Sequence, residues 1–241
     1  MNPWLPFDTG RACGVRLLCL PHAAAGASVY RAFGAGLPER IAVCPVQLPG
    51  RETRALETPY DQIEPLVKDL ADAVDDVVAQ PYAVFGHSLG AIVAFELVRE
   101  IRARGGPAPV HLFVSGRHAP HLPDTQPALR NLPLDQLAGA LRTFGGTPDE
   151  VLADTGLMSA IAPLIRADFS VNETYRYAEQ APLDVPVTAF AATSDPRAST
   201  GQIAAWAAQT TRGFRTYVLP GGHFAVLDHA EFVRGRVVEV I

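Results

Sequence analysis

The sequence predicts an α/β fold, a mostly parallel central sheet flanked by helices and interrupted once by a helical insertion. Three observations carry this. Short apolar runs alternate with stretches of helical spacing along most of the 241 residues. The runs are continuously apolar, as expected for strands buried on both faces. Between about residues 119 and 181 the alternation stops and only helical spacing remains.

Taken in order, residues 16–20 form the first strand. Pro21-His22-Ala23-Ala24-Ala25-Gly26 follows, with a helix from about residue 28. Residues 41–48 form a second strand, ended by Pro49-Gly50. Residues 61–79 have helical spacing, with Ile63, Leu66, Val67, Leu70, Val74, Val77 and Val78 apolar. A third strand begins near Pro81 and runs into Gly86-His87-Ser88-Leu89-Gly90, then an apolar helix over 92–101. Residues 110–114 form a strand leading to Ser115-Gly116-Arg117-His118. Strands over 185–191 and 214–219, with a helix over 202–209 between them, complete the set.

The region from 119 to 181 reads as helices over 134–141, 149–152 and 157–177. They are joined by turns such as Phe144-Gly145-Gly146-Thr147-Pro148. A crossover between parallel strands usually needs a single helix. The surplus predicts a lid inserted over the strand ends, where such sheets bind ligands; the alternative is helices that merely cover one sheet face. The expectation is one domain over 1–241 with this lid subdomain inside it. The apolar lid residues Leu141, Phe144, Leu157, Met158 and Phe169 are candidates for lining a pocket.

Composition narrows the class. Hydrophobic residues make up 48% and charged residues 19%, as in globular proteins. A net charge of -5 offers no general attraction to nucleic acid or to an anionic membrane. Cys13, Cys19 and Cys44 form neither a disulfide framework nor a metal-binding spacing. Met1-Asn2-Pro3-Trp4 lacks the charged and apolar segments of a signal peptide, and no apolar run reaches transmembrane length. A cytoplasmic location is expected.

Gly-x-Ser-x-Gly between an apolar strand and an apolar helix is the nucleophile-elbow pattern of serine hydrolases. The sharp turn lifts the Ser88 hydroxyl above the sheet, and the flanking glycines remove side chains that would clash. A serine hydroxyl near neutral pH needs a base within reach, and the base needs a carboxylate to hold it. In α/β-hydrolases these follow in the order Ser, acid, His. Of seven histidines, His229 lies within a helix pattern and the other five come before the acid's strand or the elbow serine, which leaves His223, in the loop Pro220-Gly221-Gly222-His223-Phe224 after the last strand. The acid should end the preceding strand, where Asp195 stands. Asp184 lies at the wrong end of that strand. Asp168 lies in the helical insertion, where a salt bridge with nearby Arg166 is the better reading. The oxyanion needs backbone donors from Leu89, after the nucleophile, and from Ala23 in the first strand–helix loop, with Ala24 a near rival.

These residues resemble a specific family, the discrete type II thioesterases of polyketide and nonribosomal peptide synthesis. The likeness spans residues 17–227. It rests on Leu-Pro-His-Ala at 20–23, Gln-Leu-Pro-Gly-Arg-Glu at 47–52, Gly-His-Ser-Leu-Gly-Ala at 86–91 and Ser-Gly-Arg at 115–117. It continues with Phe-Gly-Gly-Thr-Pro at 144–148, Ile-Arg-Ala-Asp-Phe at 165–169, Glu-Thr-Tyr at 173–175 and Pro-Gly-Gly-His-Phe at 220–224. The resemblance implies an α/β-hydrolase fold with a lid and a Ser88–Asp195–His223 triad. It implies hydrolysis of acyl groups from the phosphopantetheine arm of acyl or peptidyl carrier proteins, removing stalled or aberrant units, with no metal or organic cofactor.

The chain departs from the family pattern in two places. Ala24-Ala25 stand where Gly-Gly is frequent, and alanine tolerates positive φ poorly. Leu89 replaces a frequent Met, a volume-conserving change. Rival readings are a carboxylesterase or lipase with the same triad, an offloading thioesterase, and a non-catalytic binding protein on the same scaffold. Arg117, His118, His121, Arg130 and Arg142 could form a docking surface for an acidic carrier, the alternative being ordinary solvated surface.

Overall fold

Six strands form one parallel sheet in the computed structural model, which describes residues 2–8, 10 and 13–241. Met1, used in reading the N-terminus, lies outside the described residues. The strands are β1 (Val15–Leu20), β2 (Ile41–Pro45), β3 (Tyr82–His87), β4 (His111–Ser115), β5 (Val187–Ala192) and β6 (Phe214–Leu219). Their order across the sheet is β2-β1-β3-β4-β5-β6. Every pairing is parallel, with Leu18 between Cys44 and Val84. The chain steps outward from β1 to β2, then crosses back to β3 on the other side. Parallel sheets bind ligands at such a reversal, outside the carboxyl ends of the strands.

The helices are α1 (Ile63–Ala73), α2 (Asp75–Val78), α3 (Leu89–Ala103), α4 (Leu134–Phe144), α5 (Asp149–Ala153), α6 (Thr155–Thr174), α7 (Thr200–Ala204), α8 (Ala225–Asp228) and α9 (Ala230–Val240). Apolar residues cover both sheet faces, as the continuous apolar strands require. One face packs Leu18, Val84, Leu112 and Ala189 against α1, α3 and Trp206. The other packs Leu17, Phe85, Phe113 and Phe190 against Tyr30, Phe33 and Val233. The helix expected from residue 28 is only a 3-10 turn, Ala27–Tyr30. Gly34, Gly36 and Pro38 follow too closely for a helix to extend, although Tyr30 and Phe33 still reach the core. The helix expected over 61–79 breaks at Val74, which leaves helical geometry at φ -105°, ψ 8°.

Helices α4, α5 and α6 all fall between β4 and β5, as the sequence pattern predicts. They share their own apolar cluster, with Leu137, Leu141, Met158, Ile165 and Phe169 at its centre. Leu157 is 49% exposed and belongs to neither core nor pocket. No helix among the described residues is long and apolar enough to cross a membrane. No group of three or more metal-ligating side chains occurs among the described residues.

Buried histidines make stability depend on pH. Burial pulls His111, His22 and His118 down to about 4, and holds His87 well below the ordinary histidine range. The Arg215 guanidinium beside His111, that of Arg117 beside His118 and the His223 imidazole beside His22 and His87 act in the same direction. Their folded pKa values lie below the unfolded value, so the unfolded chain binds more protons between pH 6.5 and 4. Stability present above pH 6.5 is therefore lost as the pH falls toward 4. The melting temperature is expected to drop through this window. His111→Gln should flatten the drop, because it keeps a polar group for Thr188 Oγ1, 2.8 Å from His111 Nε2, and removes one titration. An identical slope in wild type and variant would contradict the assignment to these histidines.

Candidate active site

Ser88 sits on the turn from β3 to α3 with φ 56° and ψ -116°, a conformation unusual for a residue with a side chain. The sequence around it makes this turn possible. A Cβ at Gly86 would lie 2.2 Å from the Gly90 carbonyl oxygen, and one at Gly90 would lie 2.1 Å from that of Leu20. The Ser88 N–H donates to Ser115 O at 2.8 Å, fastening the turn to the end of β4.

His223 and Asp195 meet Ser88 from two other strand ends. Ser88 Oγ lies 3.0 Å from His223 Nε2. His223 Nδ1 lies 3.0 Å from each Asp195 carboxylate oxygen. Both side chains are nearly inaccessible to solvent. The loops carrying them are bonded to each other, with Ser194 N–H donating to Gly221 O at 2.9 Å and Gly221 N–H to Thr193 Oγ1 at 3.1 Å. Asp195 Oδ1 also accepts the Arg197 N–H at 2.8 Å. The three residues picked from the sequence are thus brought together in one hydrogen-bonded chain. His87 packs beside His223, ring centroids 4.9 Å apart, and its Nδ1 faces Ser115 Oγ at 2.9 Å.

The donors near Ser88 can be assigned by elimination. Leu89 opens α3, so its N–H has no intrahelical acceptor, and the helix dipole favours negative charge there. In the first loop the Ala24 N–H is already taken, donating to Asp168 Oδ2 at 2.6 Å. Ala25 N–H donates to His22 O and Ala27 N–H to Gln47 Oε1. Ala23 N–H has no acceptor among the described residues. Ala24 thus has its N–H engaged, whereas those of Ala23 and Leu89 have no acceptor among the described residues. Ala24 adopts φ 62°, which costs a non-glycine residue about 1–2 kcal/mol. Ala25 does not share that conformation, so only one of the two family glycines answers a need for positive φ.

The 47–52 segment grips this loop. Gln47 takes the Ala27 N–H, Arg51 Nη1 donates to Ala25 O at 3.3 Å, and the Glu52 carboxylate accepts the Ser28 N–H. Arg51 also makes a two-pronged ion pair with Asp168 at 2.7 and 2.8 Å, both side chains buried. Asp168 is in a salt bridge, as the sequence suggests, but its partner is Arg51. Arg166 instead donates to the carbonyls of Arg130 and Leu132.

These residues border a cavity of about 250 Å³ that contains Ser88 and His223. One wall is apolar, formed by Leu141, Phe144, Ile165 and Phe169 of the insertion with Phe224. The Phe-Gly-Gly turn explains the contact with Phe224. A Cβ at Gly146, where φ is 81°, would lie 2.4 Å from the Phe224 ring. Its polar lining includes Arg117, His118, Asn172 and Arg197, the Arg197 guanidinium lying 5.0 Å over the Phe144 ring.

Arg117 and His118, read as surface residues whether docking or merely solvated, are therefore buried, at 6% and 5% exposure. Trp206 Nε1 holds the Arg117 carbonyl at 2.8 Å, and Arg117 Nη1 donates to Asn172 Oδ1 at 2.8 Å. Of the five buried arginines among the described residues, Arg16, Arg51, Arg54 and Arg99 each hold a carboxylate. Arg117 does not, and burial draws its guanidinium down to about 10. The remaining members are already engaged, Arg130 with Glu173, Arg142 with Asp149, and His121 with Gln209. The cavity residues Asn172 and Arg197 stand in no motif, because burial and long-range contact select them; His22 and Phe224 stand in the 20–23 and 220–224 motifs, which gave them no cavity role.

A parallel sheet that carries Ser, Asp and His in that order at the ends of β3, β5 and β6 defines an α/β-hydrolase. The chain belongs to the thioesterase family, whose thioesterase-domain profile matches residues 15–240. It is 40% identical over 229 residues to the gramicidin S biosynthesis protein GrsT of Aneurinibacillus migulanus, covering 95% of this chain and 90% of that protein. It is 37% identical to thioesterase PikA5 of Streptomyces venezuelae, covering 92% and 79%. Among solved structures, the RedJ thioesterase of the prodiginine pathway of Streptomyces coelicolor superposes with a TM-score of 0.90 at 38% identity, covering 95% and 91%. The type II thioesterase BorB of the borrelidin cluster superposes with a TM-score of 0.86 at 36% identity, covering 94% and 92%.

Proposed function

We propose that this protein is a serine thioesterase that releases acyl groups from the phosphopantetheine arm of acyl or peptidyl carrier proteins. It thereby clears aberrant or stalled units from polyketide or nonribosomal peptide assembly. The observation that carries this reading is the unbroken Ser88–His223–Asp195 hydrogen-bonded chain beside two unoccupied backbone donors. Relatives named as a gramicidin S biosynthesis protein and as a type II thioesterase of the borrelidin cluster support a thioester substrate drawn from such assembly.

The geometry supports an acyl-enzyme mechanism that uses the chain's own groups throughout. His223 Nε2 takes the Ser88 proton while Asp195 holds Nδ1–H and fixes the tautomer. Ser88 Oγ attacks the thioester carbonyl, and the Ala23 and Leu89 N–H groups bind the oxyanion. The pantetheine thiol leaves with the proton from His223. Water, activated by the same imidazole, then attacks the acyl-enzyme and frees Ser88. The cavity's apolar wall suits an acyl chain, and its polar lining offers donors to oxygens on that chain or on the pantetheine amides.

A carrier partner makes a direct prediction. The same acyl group should be hydrolysed with a higher kcat/KM from a carrier protein than from N-acetylcysteamine, because the carrier adds binding contacts remote from the reacting bond. Steady-state rates on matched pairs measure this. Equal kcat/KM on both would leave a thioesterase without carrier recognition.

A further inference from the structure

The buried ion pair between Arg51 and Asp168 lies beside the triad without touching Ser88 or His223. Asp168 is on α6, in the insertion, and Arg51 follows β2, yet both converge on the loop after β1. Asp168 Oδ2 accepts both Arg51 Nη1 and the Ala24 N–H. Arg51 Nη1 in turn donates to Ala25 O, and its Nε to Pro49 O at 3.1 Å. The loop is thereby held at the donor of one residue and the acceptor of the next. Between those restraints Ala24 keeps φ 62°, a conformation alanine leaves unless it is held.

We infer that Arg51 and Asp168 are positioning residues for the oxyanion hole: they lock the Ala24 turn so that the preceding Ala23 N–H faces the reacting carbonyl. This deepens the serine-thioesterase reading and rests on it. The chemistry is indirect. Asp168 consumes the Ala24 N–H, which leaves Ala23 as the loop's donor, and its negative charge stays balanced by Arg51 rather than opposing the developing oxyanion. Because Asp168 belongs to α6, the insertion and the oxyanion loop form one unit. A displacement of α6 away from the loop removes the restraint on Ala24.

The test uses the full-length protein in three variants. Asp168→Asn keeps the shape but turns an amide N–H toward Arg51. The double variant Arg51→Met with Asp168→Leu removes both charges together, so no buried ion is left unpaired and folding is preserved. The double variant should lower kcat by about 10²- to 10³-fold, the usual effect of losing one oxyanion donor, with KM changed little; Asp168→Asn, whose oxygen can still accept the Ala24 N–H, should lower it less. A trifluoromethyl ketone analogue of the acyl-pantetheine, which forms a tetrahedral adduct on serine, should lose affinity in proportion to kcat. The inert amide analogue, which has no oxyanion, should bind as in wild type. A merely structural role would shift melting temperature and both affinities together. The inference is overturned if the folded double variant keeps wild-type kcat, or if kcat falls with ketone affinity unchanged. The third variant, Ser88→Ala, separates the two levels. If it binds the ketone as tightly as wild type, the nucleophile assignment itself has failed and the positioning role falls with it.

Discussion

Ser88→Ala is expected to lower kcat for thioester hydrolysis by about 10⁶-fold, the scale seen when a triad nucleophile is removed, while leaving the fold intact. The hydroxyl is the only atom in the triad chain able to form the acyl-enzyme, so nothing replaces it. Stability should barely change. Ser88 Oγ makes its hydrogen bond to His223, and the turn itself is held by the Ser88 N–H to Ser115 O. Alanine at φ 56° is no more strained than serine there. Turnover measured with an acyl-carrier substrate, beside a thermal melt, checks both halves. A folded variant within tenfold of the wild-type rate would place the nucleophile elsewhere.

Asp195→Asn is expected to lower kcat by up to about 10⁴-fold with little change in KM. Both Asp195 oxygens lie 3.0 Å from His223 Nδ1. An amide there can turn its N–H₂ toward Nδ1, because its oxygen can keep the Arg197 N–H. That favours the tautomer protonated on Nε2, which donates to Ser88 Oγ instead of accepting from it. The loss should therefore be larger than for Asp168→Asn, which leaves the His223 tautomer alone. Near-normal kcat in folded Asp195→Asn would remove Asp195 from the triad.

Much of this was legible because it is local. The elbow is encoded within Gly86–Gly90, where two absent side chains permit one turn. Asp195 and His223 could be read because parallel strands deliver their C-terminal loops to one edge, so chain order stands in for position. The insertion showed as a break in the strand–helix rhythm. What depends on long-range packing was not legible. Arg166 was the sequence-near partner for Asp168, but residues two apart on a helix do not share a face. The true partner, Arg51, lies 117 positions away. Arg117 and His118 read as surface cations because nothing in Ser-Gly-Arg-His says that the insertion and Trp206 will bury them. The choice between Ala23 and Ala24 likewise depends on a carboxylate from α6.

Release of acyl groups from carrier-bound thioesters is the role proposed for Ser88 and its partners. Intact-mass spectrometry of acyl-loaded carrier protein, with the enzyme at substoichiometric concentration and the matched oxygen ester run in parallel, tests it most directly. The predicted result is multiple-turnover loss of the acyl mass, leaving carrier with an intact phosphopantetheine thiol, faster than hydrolysis of the oxygen ester. An acyl-carrier mass that stays unchanged while the oxygen ester is consumed would make the protein an esterase rather than a carrier thioesterase.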